Sequence, residues 1–396
     1  MTAHVRLPPP ISASASRVPP SGIREIFNLA VGRRDVLHLE VGEPDFPTPS
    51  HIVEAAVDAA RGGSGYTQTA GRRDLREAAA ARLQRVHGLD VAPEQVLITH
   101  GGVQGIAVVF AAIVEAGDEV LIPDPGWPDF EMLATAHGAL TVHYPLRPEN
   151  SFLPDPEEVR HLLSPRAKLL VLNSPSNPTG RVIGEAAVAD LIALAREAGV
   201  LVLSDEVYDE MVFGAHLPVS AMRHDPDGVV GVWSCSKTYA MTGWRVGYIA
   251  ATQPLIDVCT TLQEAMITCV SSMSQAAAIA ALSGPQDCIA TMRDAYEQRR
   301  DRVVAILAQA GISPVVPDGA FYLMYPLAAG ADSRAAAIDL IDHGVAVAPG
   351  TAFGDAARSH FRLSLASGES TLIEAMRRLL AWHEATEGGR MLSRHP

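Results

Sequence analysis

Residues 95–123 read QVLITHGGVQGIAVVFAAIVEAGDEVLIP, and this stretch decides the fold. Its first residues, QVLIT (95–99), form a short apolar run that ends at the turn His100-Gly101-Gly102. A helical pattern of small residues extends from Val103 to about Glu115, and a second apolar run, Glu119–Pro123, follows it. A strand, a turn, a helix and another strand in this order predict one unit of a parallel sheet.

The same pattern recurs further along the chain. KLLVL (168–172) and VLVLS (200–204) are predicted strands on either side of a helix at about 184–198, and Val229–Trp233 and Val246–Ala250 continue the series. These runs are apolar at consecutive positions, as expected for strands that helices cover on both faces. We therefore predict an α/β fold, with a large domain built on a mostly parallel sheet between two layers of helices.

A chain of 396 residues is too long for one ordinary core, so two domains are expected. After about residue 285 long helical patterns dominate, and three short strands are predicted at about 320–325, 345–348 and 360–365. We expect an N-terminal arm and part of a small domain in residues 1–50, the large domain in 51–285, and a smaller α+β domain in 286–396. Five prolines in the first twenty residues favour an extended arm, which would lie across a partner in an oligomer.

Charge and composition exclude several classes of protein. The 31 basic and 45 acidic side chains give a net charge of -14, which repels phosphate backbones, so no nucleic-acid partner is expected. The 4 cysteines and 14 histidines show no metal-ligand spacing, and no metal is expected; Cys259 and Cys269 are predicted to be buried thiols. Residues 1–16 lack the apolar region of a signal peptide, and no apolar run of about 18 residues is present. We therefore expect a cytoplasmic protein without a signal peptide or a membrane partner.

Polar or glycine-rich clusters follow four of the predicted strands. They are Gly101-Gly102, the pair Asn173 and Asn177, Asp205, and Ser234 with Lys237. Ligands of open α/β sheets bind at the carboxyl ends of the strands, and we therefore expect these clusters to form one site.

The segment SCSKTYAMTGWRVGY (234–248) carries the most chemistry. The hydroxyls of Ser234 and Ser236 and the guanidinium of Arg245 suit the oxygens of a phosphate. Lys237 has two interpretations at this stage. It either pairs with the phosphate or, with a pKa lowered by burial and neighbouring cations, forms a Schiff base with an aldehyde. A lysine in such a loop is also commonly structural or exposed to solvent.

Asp205 follows a strand that is apolar on both faces, so its carboxylate is expected at the mouth of a buried sheet, where it needs a partner. A protonated pyridine nitrogen would be such a partner, and the carboxylate would keep the ring an electron sink. Alternatively, Asp205 is the N-cap of a helix that opens DEVYDE. Tyr208 lies three residues on, one turn along if the segment is helical, and would donate to a phenolic oxygen.

Three motifs together carry a family resemblance: NSPSNPTG (173–180), SDEVYDE (204–210) and SCSKTYAMTGWRVGY (234–248). They resemble the fold-type-I, class I/II aminotransferases, and most closely the bacterial branch that contains many aspartate and broad-specificity aminotransferases. The resemblance covers nearly the whole chain in the family's order, through LEVGEPDFPTP (39–49), GYTQTAGRRDLREA (65–78), THGGVQG (99–105), DGAFYLM (318–324) and FRLSLA (361–366).

The resemblance implies pyridoxal 5'-phosphate as the cofactor. Lys237 is then the Schiff-base lysine and the proton shuttle, and Asp205 pairs with the nitrogen of the pyridine ring. Tyr208 and Asn177 are implied to bond the ring's phenolic oxygen, and Trp127 of DPGWPDF to stack on the ring.

The same resemblance implies a phosphate cup and a shared active site. The cup consists of the backbone at the amino end of a helix and three side chains, namely Gly101, Gly102, Val103, Ser234, Ser236 and Arg245. Tyr66 is implied to reach the phosphate of the neighbouring subunit, which predicts a homodimer whose subunits share their sites.

On the substrate side, the resemblance makes Arg362 the clamp for the α-carboxylate of an amino acid or a 2-oxo acid. Alternation in Phe361–Leu365 places Arg362 on the face opposite the apolar side chains. Gly42 would let the backbone approach the substrate, and Trp127 and Asn177 would also contact it.

One departure from the family pattern bears on specificity. Similar bacterial aspartate aminotransferases often carry a lysine where Val103 stands, and valine cannot pair with a second carboxylate. We therefore expect neutral, aromatic or a broad set of amino donors in place of aspartate alone. Glu40 would suit a cationic substrate if its side chain faced the site, which alternation leaves open.

The sequence thus predicts a transaminase that works by ping-pong half-reactions. A lyase that eliminates a β- or γ-substituent on the same fold is the nearest alternative. A cofactor-sensing regulator fused to a DNA-binding module is a remote one, because only about forty residues precede the first motif. A catalytically inactive scaffold is disfavoured, since the lysine, the aspartate, the tyrosine and both arginines are present.

Overall fold

The structure is a computed structural model that describes residues 11–389. In this range the strands are β1 Leu37–His38, β2 Val96–Thr99, β3 Glu119–Asp124, β4 Leu140–Pro145, β5 Ala167–Asn173, β6 Leu201–Asp205, β7 Val229–Ser234, β8 Gly247–Ala250, β9 Tyr322–Pro326, β10 Val345–Ala346, β11 Ala348–Pro349 and β12 His360–Ser364. The helices are α1 Gly22–Ala30, α2 Ser50–Gly62, α3 Arg73–His87, α4 Gly101–Ile113, α5 Asp129–Ala136, α6 Pro156–Leu162, α7 Glu185–Ala198, α8 Cys235–Thr238, α9 Gln253–Ile267, α10 Ser272–Ser283, α11 Asp287–Gln309, α12 Ser333–Asp342 and α13 Glu369–Thr386.

Seven strands form the main sheet in the order β2-β8-β7-β6-β5-β3-β4. Helices separate β3, β5 and β6 along the chain, and the pairs from β4 to β7 are parallel. This architecture confirms the predicted α/β class with a mostly parallel sheet.

The expectation that Val246–Ala250 continues the parallel series is wrong. β8 runs antiparallel to both β7 and β2. A parallel return requires a crossover, usually a helix, but the link from β7 to β8 contains only the four-residue α8 and a short 3-10 turn. Because β8 is reversed, its amino end lies at the same edge of the sheet as the carboxyl ends of its neighbours.

Both faces of the main sheet are buried. In β5, Leu170 and Leu172 belong to one apolar cluster, whereas Leu169 and Val171 belong to the cluster on the opposite face. Adjacent side chains of a strand point to opposite faces, so a continuous apolar run requires a cover on each side.

A smaller antiparallel sheet, β11-β12-β9, and the parallel pair β1-β10 belong to a separate apolar core, distinct from the clusters on the two faces of the main sheet. That core joins residues from both ends of the chain, among them Ile26, Leu39, Phe361 and Trp382. The strands expected at about 320–325, 345–348 and 360–365 lie here. The domain boundaries at residues 50 and 285 stay a prediction.

Two minor expectations differ from the structure. Residues 11–20 contain a 3-10 turn at Ala15–Arg17 in addition to extended chain, whereas the first ten residues of the predicted arm lie outside the described range. Cys259 is buried as expected, but Cys269 is only partly buried because it follows the end of α9. Within residues 11–389, no helix combines the length and apolar character needed to cross a membrane.

Candidate active site

A cavity of about 690 Å³ opens at the carboxyl edge of the main sheet. It collects residues from four strand ends, from the N-terminal segment and from the small sheet. The predicted site residues that line it are Gly42, Gly102, Val103, Trp127, Asn177, Asp205, Tyr208, Ser234, Ser236, Lys237, Arg245 and Arg362.

Lys237 lies in α8, directly after the end of β7, and points into the cavity. Its Nζ donates to the carbonyl oxygen of Gly42 at 2.5 Å and lies 5.9 Å from the centre of the Tyr208 ring. Burial lowers the pKa of Lys237 to about 8, and the nearby Arg362 and Arg245 act in the same direction. An amine with this pKa is partly neutral near pH 8, and only the neutral form is a nucleophile.

Asp205 ends β6 and is 3% exposed. Its carboxylate accepts one long hydrogen bond, from the backbone N–H of Val207 at 3.4 Å, and burial raises the pKa of Asp205 to about 7. The residues that follow form turns instead of a helix, so the helix N-cap interpretation is wrong. A buried carboxylate with so few donors is stabilised by a cation placed against it.

Tyr208 reaches the cavity from these turns. Its hydroxyl lies 2.8 Å from the hydroxyl of Tyr322 on β9, and burial, with Tyr322 next to it, raises the pKa of Tyr208 well above its usual value. Tyr322 was not predicted as a site residue, although it lies within the motif DGAFYLM. Only the packing of the small sheet against the main one brings the two hydroxyls together.

The expected phosphate cup lies where β7 and β8 meet α4. The Oγ of Ser234 accepts the backbone N–H of Ser236 at 3.1 Å, and Nη1 of Arg245 donates to the carbonyl of Thr242 at 2.9 Å. Gly101 opens α4 with φ of 74°, and a Cβ there would lie 2.6 Å from Nη2 of Arg245. Gly101 therefore provides the left-handed turn and the space that let the arginine reach the helix end, where free backbone N–H groups attract anions.

Arg362 lies on β12 and is 2% exposed. It donates through Nη1 to Oδ1 of Asn177 at 3.1 Å and through Nη2 to the carbonyl of Glu40, and its Nε has no protein partner in the described range. The guanidinium lies 4.5 Å from the centre of the Tyr322 ring. Burial lowers the pKa of Arg362. This is an oriented cation with a free donor, as binding of a carboxylate requires.

Gly42 lies beside Lys237 and Tyr322. A Cβ at Gly42 would lie 1.8 Å from the hydroxyl of Tyr322, so only glycine fits there. The side chain of Glu40 does not line the cavity, because its Oε1 pairs with Nδ1 of His38 at 2.8 Å in a fully buried position. The suggested pairing of Glu40 with a cationic substrate therefore has no support in the cavity.

Tyr66 lies apart from the cavity and is 91% exposed. Its expected contact with a neighbouring subunit stays a prediction. The sequence reasoning also missed several residues that line the cavity, including Arg24, Glu43, Asp129 and Thr242. Thr242 belongs to the quoted lysine segment and donates through its hydroxyl to Glu43.

A buried charge network lies behind Asp205 and Tyr208. Arg82 of α3 donates to both carboxylate oxygens of Asp209, at 3.0 and 2.8 Å, and also pairs with Glu210. Nε2 of His87 lies 2.8 Å from Asp209. Burial alone would raise the pKa of Asp209, but Arg82 and His87 hold it below its usual value. The network anchors the turns that follow β6 to α3.

Comparison with known proteins agrees with these features. The family described as aminotransferase class I and II matches residues 34–379. The aspartate/prephenate aminotransferase of Thermus thermophilus is 39% identical over 352 residues, which cover 87% of this chain and 90% of that protein. An arginine–pyruvate transaminase of Pseudomonas aeruginosa is 37% identical over 87% of this chain and 89% of its own length. The solved structure of aspartate aminotransferase from Thermus thermophilus with maleate superposes with a TM-score of 0.91, at 36% identity, over 94% of this chain and 99% of that one.

Proposed function

The chain belongs to the class I and II aminotransferases, and we propose that it moves the amino group of an L-amino acid to a 2-oxo acid with pyridoxal 5'-phosphate bound through Lys237. The observation that carries the proposal is the meeting of Lys237, Asp205 and Arg362 in one cavity. They supply an amine of lowered pKa, a carboxylate in need of a cation and a cation with a free donor.

The residues present fit this cofactor. Asp205 is a buried carboxylate that a pyridinium N–H would satisfy, and Tyr208 carries a hydroxyl for the phenolic oxygen. Ser234, Ser236 and Arg245 lie with the amino end of α4, which is the donor set that a phosphate requires. Trp127 lines the same cavity and offers a flat face for the ring.

When bound, pyridoxal phosphate supplies an electron sink that lets the α-hydrogen of the amino acid leave as a proton, and it stores the amino group between the half-reactions. Arg362 orients the substrate by holding its α-carboxylate, and Asn177 fixes the guanidinium plane. Lys237, with its pKa near 8, removes the α-proton at Nζ and returns it on the other side of the transfer. The carboxylate of Asp205 keeps the ring nitrogen protonated.

The names of the relatives do not identify the amino donor of this chain. Their names include aspartate/prephenate and arginine–pyruvate enzymes, so one active-site plan serves acidic and basic side chains. Val103 lines the cavity and carries no charge. It supports the expectation of neutral, aromatic or broad donors in place of aspartate alone.

The proposal includes a homodimer with shared sites. The exposure of Tyr66, a large aromatic side chain that is 91% accessible on a glycine-rich segment, supports this proposal. Equilibrium sedimentation tests the assembly. A Tyr66→Phe variant should bind pyridoxal phosphate more weakly without changing the assembly.

A half-reaction screen tests the function. The enzyme loaded with pyridoxal phosphate is mixed with single amino acids, and conversion of the cofactor to its amine form is followed by absorbance. A transaminase yields one equivalent of 2-oxo acid without an acceptor and continues only when a 2-oxo acid is added. Continuous release of 2-oxo acid and ammonia without an acceptor would instead identify the lyase, which the names of the relatives do not favour.

The chain offers an unusually clean control for this screen, because Lys168 is its only other lysine. Lys168 is exposed in β5, whereas Lys237 lines the cavity. Lys237→Ala should abolish covalent cofactor binding and turnover, and Lys168→Ala should retain both. Normal activity in Lys237→Ala would refute the proposal.

A further inference from the structure

The cavity that contains Lys237 has one wall that is formed by α1 and by the start of α5. The first residue of α5, Asp129, and the α1 residue Arg24 line this wall together with apolar side chains, among them Ile23, Phe27 and Met132. Arg362 and Lys237 line the same cavity. A substrate held there by its α-carboxylate and α-amino group therefore shares the cavity with the wall of α1 and α5.

Asp129 is the unsatisfied group of this wall. Within residues 11–389, its carboxylate has no hydrogen bond and no ion pair of 4.0 Å or less. Burial raises the pKa of Asp129 to about 6, and Arg24 is the one cation that opposes this effect. The side chain is partly buried and keeps some contact with solvent. A partly buried carboxylate without a protein donor is stabilised further when a ligand brings one.

Arg24 does not meet that need. Its guanidinium lies over the ring of Phe27, 5.5 Å from the ring centre, and its side chain is exposed to solvent. An exposed guanidinium keeps its hydration and gains little free energy from an ion pair. The two charges therefore differ: Arg24 is solvated, whereas Asp129 faces the cavity without a donor.

We propose that Asp129 is a specificity-determining residue that selects amino donors whose side chain ends in an ammonium or guanidinium group. The inference rests on the proposed function and names its substrate class. It extends the donor set expected from Val103, since Val103 brings no cation to the cavity and Asp129 brings a carboxylate.

In the competing interpretation, Arg24 is the residue of this wall that recognises the substrate, and it would bind the second carboxylate of a dicarboxylic donor. The two interpretations predict opposite orders of substrates. With Asp129 in control, L-arginine and L-lysine react faster than L-norleucine, and L-aspartate is the slowest. With Arg24 in control, L-aspartate leads.

The test compares half-reactions of the holoenzyme and its Asp129→Asn variant with these amino acids. Loss of a charged hydrogen bond should lower kcat/KM for L-arginine by about 10- to 100-fold and leave L-norleucine within about twofold. Glu131→Gln is the matched control, because it removes one negative charge from the same turn of α5 outside this cavity. It should leave the arginine-to-norleucine ratio unchanged.

Binding of unreactive analogues provides a readout that does not depend on turnover. 5-Guanidinopentanoate and hexanoate are arginine and norleucine without the α-amino group, and calorimetry on the holoenzyme gives their dissociation constants. We expect the guanidino compound to bind more tightly than hexanoate to the wild type, and Asp129→Asn to remove the difference. Melting temperatures of the variants check that folding is intact.

The outcomes distinguish a failure of the proposed transaminase function from a failure of the role assigned to Asp129. If no amino acid converts the cofactor, the proposed function is wrong, and the analogue affinities still decide whether Asp129 recognises a cation. If amino acids react but Asp129→Asn changes L-arginine and L-norleucine equally, the assignment of Asp129 is overturned and the transaminase stands. A wild-type preference for L-aspartate over L-arginine also overturns it.

Discussion

The Nζ of Lys237 lies 2.5 Å from the carbonyl oxygen of Gly42, although 195 positions separate the two residues in the chain. The contact draws the N-terminal segment over the loop that follows β7. A side chain at Gly42 would collide with Tyr322, so the close approach depends on glycine at this position. The amine is therefore held inside the cavity before any ligand enters.

The pH dependence of cofactor capture follows from this burial. The pKa of Lys237 is lowered from 10.5 to about 8, so the neutral amine appears above pH 8 and is lost as the pH falls below it. In the cofactor-free protein, the rate of covalent capture of pyridoxal phosphate should rise with pH through a midpoint near 8. Stopped-flow absorbance from pH 6.5 to 10 measures it, and Lys168→Ala should give the same curve. A midpoint near that of a free lysine would contradict the role of burial.

Arg362→Lys should weaken the substrate far more than the cofactor. Lysine keeps the charge but loses the planar fork that Asn177 and the carbonyl of Glu40 orient. We expect kcat/KM for all amino donors to fall by roughly 10- to 100-fold, in line with the loss of one charge-assisted hydrogen bond, and the dissociation constant of pyridoxal phosphate to stay within about twofold. Arg358→Lys, an exposed neighbour, is the control. Equal losses for substrate and cofactor would make Arg362 structural.

The Tyr208–Tyr322 pair predicts a spectroscopic effect. A hydroxyl that donates to the phenolic oxygen of the cofactor lowers the pKa of the nitrogen that joins the cofactor to Lys237. Tyr208→Phe removes that donor and should raise this pKa by about one unit, which corresponds to about 1.4 kcal/mol. Tyr322→Phe removes only the partner at 2.8 Å and should give a smaller rise. Absorbance titration of the holoenzymes measures both, and unchanged midpoints would show that neither hydroxyl acts on the cofactor.

Much of this arrangement follows from local patterns of the sequence. Apolar runs broken by polar residues mark the strand ends, and parallel strands bring their carboxyl ends to one edge. For this reason Asp205, Asn177 and Lys237 were predicted to lie close together, and all three line the cavity. Alternation likewise places Arg362 on the face opposite Phe361, but the pattern cannot say whether that face is solvated; packing against the N-terminal segment buries it.

Other features depend on contacts between distant parts of the chain. The apolar run of β8 does not indicate whether the strand is parallel or antiparallel to its neighbours, because a strand covered on both faces has the same pattern in either direction. Tyr322 meets Tyr208 across 114 positions, and Asp129 lines the cavity together with residues of α1, such as Arg24, that lie far away in the chain. The pairing of Glu40 with His38 could not be predicted for the same reason. Alternation indicates on which face of a strand a side chain lies, but not which residue it contacts.

The network of Arg82 was also beyond local reasoning, and it makes the strongest prediction for stability. Arg82 is 2% exposed and joins α3 to Asp209 and Glu210, 127 and 128 positions away. Its guanidinium also donates to the hydroxyl of Tyr248 at 3.0 Å. Removing one partner of a buried ion pair leaves the other charge without compensation, which is worse than replacing both partners.

Arg82→Ala should therefore lower the free energy of unfolding by about 3–5 kcal/mol. Arg73→Ala is the matched control on the same helix, because Arg73 pairs with Glu77 at 2.9 Å on the surface and such pairs contribute at most about 1 kcal/mol. Urea unfolding of both variants at neutral pH gives the two values. Since the network anchors the turns that carry Tyr208, Arg82→Ala should also weaken binding of pyridoxal phosphate, whereas Arg73→Ala should not. Equal stability of the two variants would mean that solvent or rearranged side chains compensate Asp209 and Glu210 when the guanidinium is removed.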